Sequence, residues 1–288
     1  MQASDVTRAV DAAVSTASDL DLMADEAIVL HDSNKLALRL LPCDAFARVA
    51  HIGDEVAHFE VELAQLLAET ESPVAALDPR VQPLVYERDG FAVTLWTYYE
   101  PVPTREASPA EYANALERLH AGMRELDLVA PHFTDRVAEA QALVANPDRT
   151  PALADADREL LSSTLRSSTD AIRKRAAPEQ LLHGEPHPGN VLSTKNGLLF
   201  VDLETCCRGP IEFDVAHVPV RVSELYPVAD EHLLGECRHL VLAMVAAWRW
   251  DPGDQLPDGQ RAGRELLSAL RKGPPWAPLD VVMRGADE

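Results

Sequence analysis

The 288-residue sequence has few cysteines and no long apolar run, and both absences restrict its class. Its four cysteines have neither CxxC spacing nor the density of a secreted disulfide scaffold, so we expect reduced thiols. No stretch approaches the roughly 18 apolar residues of a transmembrane helix. The N-terminal segment also lacks the basic and apolar regions of a signal peptide. We therefore expect a cytoplasmic protein without membrane contact, either a monomer or a homodimer.

Basic residues are scarce, since 26 Lys and Arg stand against 47 Asp and Glu and the formal net charge is −21. Such a charge repels nucleic acid phosphates, and no basic stripe interleaved with aromatic residues is present. We therefore expect no nucleic acid partner. The acidity favours a cationic small-molecule ligand, but general solubility explains it at least as well.

The hydrophobic content of 47% is enough for a well-buried core, and the apolar pattern changes near residue 100. Before that point, short apolar segments around one helix predict an antiparallel sheet, with a hairpin turn at Asp89 and Gly90. The predicted strands are residues 27–31, 35–41, 45–50, 83–89 and 91–99.

After residue 100 the pattern is mostly helical. Ser108, Pro109 and Glu111 form a capping box at the start of a helix, and helical spacing also covers residues 154–175 and 230–249. We therefore predict an α+β fold with a small antiparallel-sheet lobe containing one main helix and a larger, mostly helical lobe. The predicted boundaries are 1–99 for the first lobe, 100–103 for an extended connector containing prolines and 104–288 for the second lobe.

One helix of the first lobe carries an acidic residue on its apolar face. From the expected N-cap Asp54, the spacing places Val56, Leu63 and Leu67 on one stripe, and Glu60 falls inside it. A buried carboxylate needs a partner, and Arg48 in the strand 45–50 is the candidate cation. The pattern is equally consistent with Glu60 lying at the edge of the stripe and reaching water.

The second lobe contains LLHGEPHPGNVL, residues 181–192, followed by FVDLE, residues 200–204. Asn196 and Gly197 form the turn of a hairpin that returns Asp202 towards Asn190, provided that the strand bends at its end. Amide and carboxylate oxygens suit a hard cation such as Mg²⁺. Phosphoryl transfer uses such groups together with a carboxylate that receives a hydroxyl proton and a cation that binds phosphates.

These motifs resemble those of the aminoglycoside phosphotransferase and choline kinase group, whose fold is related to protein kinases. HGEPHPGN is similar to the catalytic HGDxHxxN loop of that group, and VDLE is similar to its metal-binding strand end. FDVAHV, residues 213–218, resembles its later YDLA segment. The resemblance spans nearly the whole chain, although the matches in the first lobe are individually weak.

The resemblance implies a role for each matching residue. Glu185 would be the general base, and Asn190 and Asp202 would bind Mg²⁺. Arg48 would contact the phosphates of ATP or GTP, and Glu60 would orient Arg48. Other matches would bind the nucleotide or support the loop: Ser33 and Asn34 in the turn Ser33-Asn34-Lys35, which stands where the phosphate loop of the family lies, the backbone of Trp96, Thr97 and Tyr98 around the purine, and His183 and Asp214 as structural supports.

The acceptor is less well defined. His187 either lines the site or fills the loop, and both readings are equally consistent with its position. Acidic and aromatic residues after about residue 210 favour a cationic or amphipathic hydroxyl compound, such as an antibiotic or an amino alcohol. Glu212, Trp248 and Asp251 are the candidate contacts, although helix packing is the more common role of such tryptophans.

Two residues depart from the family pattern. Arg48 stands where the family has lysine; it keeps the charge but has a larger, planar head. Glu185 stands where the family has aspartate, and the added methylene moves the carboxylate by roughly 1 Å, which can cost about 10²-fold in rate. Because phosphoryl transfer relies mainly on positioning and electrostatics and makes little demand on the base, we expect an active kinase. The alternative is a catalytically impaired nucleotide-binding protein of the same fold.

Two other classes of protein fit less well. The HGEPH run does not complete a zinc site, since a zinc deaminase also needs a later PCxxC and here Cys206 and Cys207 are adjacent. A purely structural role leaves the polar loop unexplained. The resemblance therefore implies transfer of the γ-phosphate of a purine nucleotide to a hydroxyl group of a small molecule.

Overall fold

The structure is a computed structural model that describes residues 1, 3–33, 35–53, 55–102, 107–227 and 230–286. The chain forms two compact units. The first comprises Met1–Glu106 and Leu192–Glu204, and the second comprises Ala107–Val191 and Thr205–Glu288. Pro103 lies outside the described residues, so the connector at 100–103 stays a prediction.

The first unit contains a five-stranded antiparallel sheet with the strand order β1-β2-β3-β5-β4. Each of the five predicted segments contributes one strand. Two helices accompany the sheet, one more than the sequence pattern indicated. The elements are α1 (Ala3–Asp19), β1 (Ala24–Asp32), β2 (Leu36–Pro42), β3 (Ala45–His51), α2 (Glu55–Ala68), β4 (Tyr86–Arg88) and β5 (Phe91–Thr97).

The additional helix α1 covers one face of the sheet. Its buried residues are mostly alanines, including Ala9, Ala13 and Ala17, which are fully buried and recur every four residues. They pack against strand residues such as Leu38 and Val93. Valines on the same face of α1 are partly buried against this core, so the apolar residues recur at helical spacing, and the pattern indicates a helix that the sequence prediction omitted.

The register of the sheet places Arg48 on the opposite face. Arg48 in β3 lies opposite Ala37 in β2 and Thr94 in β5, whereas the neighbouring positions Ala47 and Val49 belong to the core under α1. Side chains alternate between the two faces of a strand. Lys35, two residues before Ala37, therefore lies on the same side of the sheet as Arg48.

Helix α2 carries the predicted buried stripe with one correction. Glu60, Leu63 and Leu67 are buried, as the spacing indicated. Val56 is 37% exposed, so its placement in the buried stripe was wrong. It lies in the first turn of α2, at the edge of the packed surface, where helical periodicity alone overestimates burial. The expected N-cap Asp54 lies outside the described residues.

The predicted hairpin consists of β7 (Val191–Thr194) and β8 (Gly197–Phe200). Within the first unit, Phe200 accepts a hydrogen bond from the N–H of Ala75 (3.0 Å) and donates one to the carbonyl of Pro73 (2.7 Å). Asp202 follows the end of β8 with φ of 66°, a left-handed conformation that is uncommon for a residue other than glycine. The backbone therefore turns just after β8 ends, and the return of Asp202 towards Asn190 stays a prediction.

The second unit is mostly helical. The capping box of Ser108 and Glu111 is present at the start of its first helix, and both further helical predictions are confirmed. Strands β6 and β9 form a small antiparallel pair. The elements are α3 (Pro109–Glu125), α4 (Phe133–Ala145), α5 (Asp155–Arg175), β6 (Gln180–Leu182), β9 (Cys207–Gly209), α6 (Ile211–Val215), α7 (Val220–Ser223), α8 (Glu231–Trp248), α9 (Gly259–Lys272) and α10 (Leu279–Ala286).

Among the described residues, no helix combines the length and the apolar character needed to cross a membrane. The four cysteines are all free thiols; Cys206, Cys207 and Cys237 are buried, and Cys43 is partly exposed. The adjacent pair at 206 and 207 is therefore packed inside the second unit.

Ala13→Leu tests the close packing of α1 on the sheet. Ala13 is fully buried, so a larger side chain should destabilise the protein by about 1–3 kcal/mol through overpacking. Urea denaturation measures the change in the free energy of unfolding. Thr7→Leu adds the same side chain at an exposed position of α1 and is the matched control. Equal stability of the two variants would contradict this packing.

Candidate active site

Glu60 is the centre of a charged cluster in the first unit. Its side chain is only 4% exposed, and each carboxylate oxygen contacts a different cation. Arg48 Nη1 lies 2.5 Å from Oε1, and Lys35 Nζ lies 3.0 Å from Oε2. The Arg48 contact anticipated from the helical projection is thus present, and Lys35 is a second partner that the sequence analysis did not assign.

Two more carboxylates complete this cluster from the segment after β8. Asp202 accepts a hydrogen bond from Arg48 Nη2 at 2.8 Å. Glu204 lies 2.6 Å from Lys35 Nζ and 3.4 Å from Arg48 Nη2. Unlike Glu60, these two side chains are about one-third exposed, at 33% and 30%. The five residues Lys35, Arg48, Glu60, Asp202 and Glu204 are called the Glu60 cluster below.

The carboxylates keep both cations protonated. Burial acts to lower the pKa of Lys35, but Glu60 and Glu204 outweigh it and raise the pKa above its usual value. The pKa of Arg48 is likewise raised, because Glu60, Asp202 and Glu204 outweigh burial. Burial raises the pKa of Glu60, and Arg48 and Lys35 oppose this effect. The cluster thus carries two fixed positive charges beside exposed oxygens.

The residues predicted to hold the nucleotide are partly engaged within the first unit. Ser33 donates its N–H (3.2 Å) to the carbonyl of Lys35, which closes a tight turn, and Asn34 lies outside the described residues. Trp96 is buried and donates its indole N–H to Thr94. The N–H of Thr97 donates to Ala76 at 2.9 Å.

Tyr98 differs from its neighbours because Arg39 stacks 4.0 Å from the centroid of its ring. Backbone groups of this segment would bind the purine. Because the N–H of Thr97 already donates to the carbonyl of Ala76, it is not one of the donors available to the purine. The roles of Trp96, Thr97 and Tyr98 in nucleotide binding stay predictions.

In the second unit, Asp214 holds the start of the HGEPHPGN loop. It is fully buried and accepts hydrogen bonds from the backbone N–H groups of His183 (2.9 Å) and Gly184 (2.8 Å). The Nε2 atom of His120 lies 2.9 Å from the same carboxylate, and its Nδ1 atom lies 2.7 Å from the hydroxyl of Tyr226. Burial acts to raise the pKa of Asp214, but His120 and the nearby histidines hold it below the usual value.

Gly184 must be glycine in this loop. Its φ is +89°, and an added Cβ would collide with the carbonyl oxygen of Thr205. Thr205 also donates its hydroxyl to the carbonyl of His183 at 3.0 Å.

Further along the loop, Tyr112 donates its hydroxyl to the carbonyl of Pro186 (2.6 Å), and His187 Nδ1 accepts from the N–H of Gly189 (3.0 Å). The His187 imidazole thus closes the turn, and a contact with an acceptor stays a prediction.

Glu185 has a partner that the sequence did not reveal. Arg136 of α4 lies with Nη2 2.6 Å from Glu185 Oε1, and the two side chains are 21% and 28% exposed. Asn190 donates its amide N–H to the carbonyl of Glu185 at 3.0 Å, which leaves the amide oxygen as its potential metal ligand. Arg136 of α4 therefore holds the carboxylate of Glu185, and Asn190 of the loop holds its backbone carbonyl.

The candidate acceptor residues do not offer exposed unpaired charges. Glu212 is 3% exposed, and burial raises its pKa. Asp251 accepts hydrogen bonds from Arg149 (2.7 Å) and from the backbone of Gly253 (2.8 Å). Trp248 is half-buried at the end of α8. Their contact with an acceptor stays a prediction.

The Glu60 cluster fits the ligand chemistry of Mg²⁺. Oxygen atoms of Glu60, Asp202 and Glu204 lie within 4.8 Å of one another. Hard divalent cations prefer such oxygens, and Mg²⁺ is commonly bound by one or two carboxylates together with substrate phosphates. The more exposed Asp202 and Glu204 are better suited to this role than the buried Glu60.

Solved structures with the same fold are phosphotransferases and kinases. Spectinomycin phosphotransferase in complex with ADP and spectinomycin is 13% identical over 98% of each chain, with a TM-score of 0.64. Choline kinase LicA from Streptococcus pneumoniae is 14% identical over 90% of this chain and 97% of its own, with a TM-score of 0.65. The GDP and kanamycin complex of APH(2″)-IIIa is 13% identical over 95% and 97%, with a TM-score of 0.62.

These similarities confirm the predicted α+β, protein-kinase-like fold class. The family model described as the phosphotransferase enzyme family matches residues 33–224, more than half of the sequence. The chain therefore belongs to the phosphotransferase enzyme family. Curated protein sequences give no significant match.

Asp214→Asn tests the buried carboxylate. Each carboxylate oxygen of Asp214 accepts from one backbone N–H group. In the variant, the amide nitrogen faces one of these donors and cannot accept its hydrogen bond, so the free energy of unfolding should fall by about 2–4 kcal/mol at pH 7. The lowered pKa means that the carboxylate stabilises the fold above the unfolded value of about 3.9. This contribution to the free energy of unfolding is lost as the pH falls from about 3.9 towards the lower pKa of Asp214 in the folded protein.

Urea denaturation at several pH values should therefore show that the difference between wild type and Asp214→Asn narrows below about pH 4. Asp148→Asn, at an exposed aspartate of the same unit, is the control and should change stability little. A difference that stays constant across this pH range would contradict the charged role of Asp214.

A double-mutant cycle tests the contact between Arg136 and Glu185. Arg136→Met, Glu185→Gln and the double variant should give a coupling energy of about 0.5–1 kcal/mol, because the pair is mostly buried. The pair of Arg149 and Asp251 has a similar distance of 2.7 Å, but its arginine is 54% exposed, so its coupling should be weaker. Additive effects at Arg136 and Glu185 would show that the two side chains do not interact in solution.

Proposed function

We propose that this chain is a Mg²⁺-dependent kinase that transfers the γ-phosphoryl group of ATP or GTP to a hydroxyl group of a small molecule. Its membership of the phosphotransferase enzyme family supports the reaction class. The observation that carries the proposal is the contact of Arg48 with both the buried Glu60 and the Asp202 of the VDLE motif. A cation held on a buried carboxylate beside metal-type ligands is the arrangement that nucleotide phosphates require.

We assign each polar residue a role that its contacts support. Arg48 binds phosphate oxygens while Glu60 restrains its guanidinium group, which limits the entropy lost on binding. Asp202 and Asn190 supply oxygens for Mg²⁺, and Glu204 is a further carboxylate near Asp202. The metal supplies charge neutralisation on the phosphate oxygens when bound.

Glu185 receives the proton of the acceptor hydroxyl. Its contact with Arg136 restricts the longer side chain, which supports a defined position for the carboxylate despite the added methylene. Asp214 fixes the backbone at the start of the same loop.

The donor and the acceptor are defined only by class. Backbone groups near Tyr98 would hold a purine, which suits ATP and GTP alike. The net charge of −21 supports a cationic or amphipathic acceptor, such as an aminoglycoside-like antibiotic or an amino alcohol. This support comes from the overall charge, because Glu212 is buried and Asp251 is paired with Arg149.

Thermal denaturation tests nucleotide binding. Mg²⁺ with ATP or GTP at about 100 times Kd should add about 2.7 kcal/mol of stability by mass action and raise Tm by several degrees. Arg48→Met should reduce this shift, while Arg149→Met, which removes an exposed arginine of the second unit, should not. No shift with either nucleotide at millimolar concentration would refute the proposed function.

Turnover separates the kinase from an impaired nucleotide-binding protein. Nucleotide consumption is measured over a panel of hydroxyl-bearing amines, sugars and antibiotics with wild type and Glu185→Gln. We expect both proteins to bind nucleotide and only wild type to show turnover with a suitable acceptor. Nucleotide binding without turnover across the panel would favour the impaired protein.

A further inference from the structure

We propose that Lys35 is a second phosphate-binding cation and supplies the ammonium group that Arg48 does not. This inference rests on the proposed nucleotide-binding function and specifies how the donor is held. From the sequence, the phosphate-binding charge is expected at Arg48, and Lys35 is expected only as the last residue of the turn that begins with Ser33 and Asn34. The Glu60 cluster instead presents two cations from neighbouring strands.

The sheet register brings Lys35 to the correct face. Ala37 of β2 lies opposite Arg48 of β3, and Lys35 precedes Ala37 by two residues. Because side chains alternate, a separation of two residues returns to the same face. A lysine at 36 would point to the other face, where Leu36 is fully buried in the core under α1.

Both cations are held by one carboxylate in equivalent ways. Lys35 contacts Glu60 Oε2 at 3.0 Å, and Arg48 contacts Glu60 Oε1 at 2.5 Å. Both also reach Glu204, at 2.6 Å for Lys35 and 3.4 Å for Arg48. Lys35 is no more exposed than Arg48, with side chains 12% and 17% exposed. A lysine that only balanced surface charge would not contact the same buried carboxylate, Glu60, as Arg48 does.

The exposure of the carboxylates indicates which contacts a nucleotide could replace. Glu60 is 4% exposed and holds both cations from the buried side. Glu204 and Asp202 are 30% and 33% exposed and contact the cations from the open side. Phosphate oxygens have the same charge and acceptor chemistry as these exposed carboxylates. They can therefore accept from Lys35 and Arg48 while Glu60 keeps both cations in place.

The two cations differ in what they offer to a polyphosphate. A guanidinium group is planar and donates in a fixed fork, whereas an ammonium group is compact and donates in three directions. Arg48 alone therefore cannot reproduce the contacts of a lysine at the same position. Lys35 supplies an ammonium group within the same cluster, so the substitution at position 48 does not remove lysine chemistry from the site.

Isothermal titration calorimetry with ADP, ATP and adenosine tests the role of Lys35. Lys35→Met should weaken binding of ADP and ATP by about tenfold or more, because a charge-assisted hydrogen bond is lost, and should leave adenosine affinity unchanged. Lys35→Arg keeps the charge but not the ammonium group, so it should recover only part of the affinity. Lys195→Met removes an exposed lysine in the turn between β7 and β8 and is the matched control.

A direct contact is distinguished from an indirect effect through Arg48 by a second set of variants. If Lys35 binds phosphate itself, Lys35→Met should still weaken ADP binding in an Arg48→Met background. If Lys35 only restrains Glu60, its substitution should have no further effect in that background, and the inference is wrong. Tm of each unliganded variant verifies that the fold is retained.

These outcomes are separable from those of the proposed function. Wild-type protein that fails to bind any purine nucleotide refutes the function itself. Wild-type binding that Arg48→Met weakens and Lys35→Met leaves unchanged refutes only the inference about Lys35.

Discussion

Glu60 is almost completely buried in the first unit, and the geometry of the charged cluster depends on it. Both of its oxygens contact cations, so its removal would leave Lys35 and Arg48 partly buried without their inner partner. Breaking a buried ionic network in this way costs more than a single surface ion pair contributes. The same contacts restrict two long side chains whose conformational entropy would otherwise oppose ligand binding. A buried carboxylate therefore determines where the two cations that we propose to bind phosphate lie.

The second unit uses a buried carboxylate in a comparable way. Asp214 accepts two backbone hydrogen bonds from the start of the HGEPHPGN loop and is held in turn by His120. Gly184 then allows the close approach of Thr205, so the loop backbone is restrained from both sides. Glu185 follows directly after these fixed residues. In each unit, the group that would meet a ligand is partly exposed, and the group that positions it is not.

The sequence was sufficient where local patterns determine structure. The turn at Asp89 and Gly90, the capping box of Ser108 and Glu111 and the apolar face around Glu60 could all be predicted, because each depends on residues close in the chain. Helix α1 also follows such a local pattern, because its alanines and valines recur at helical spacing, although the prediction omitted it. The partner of Glu185 could not be predicted, since Arg136 is 49 residues away and no spacing rule relates the two. The contact of Lys35 with Glu60 could not be predicted either, because it depends on the register of β2 against β3. The turn between the two strands sets that register.

The shared anchor of Lys35 and Arg48 also bears on how such a site tolerates substitution over time. Two adjacent strands offer two positions from which a positive charge reaches the same carboxylate. A chain can therefore acquire a lysine on one strand before it changes the residue on the next, without passing through a form that lacks a cation. The residue that carries the positive charge can then differ between the two strands while the charge stays beside the same carboxylate.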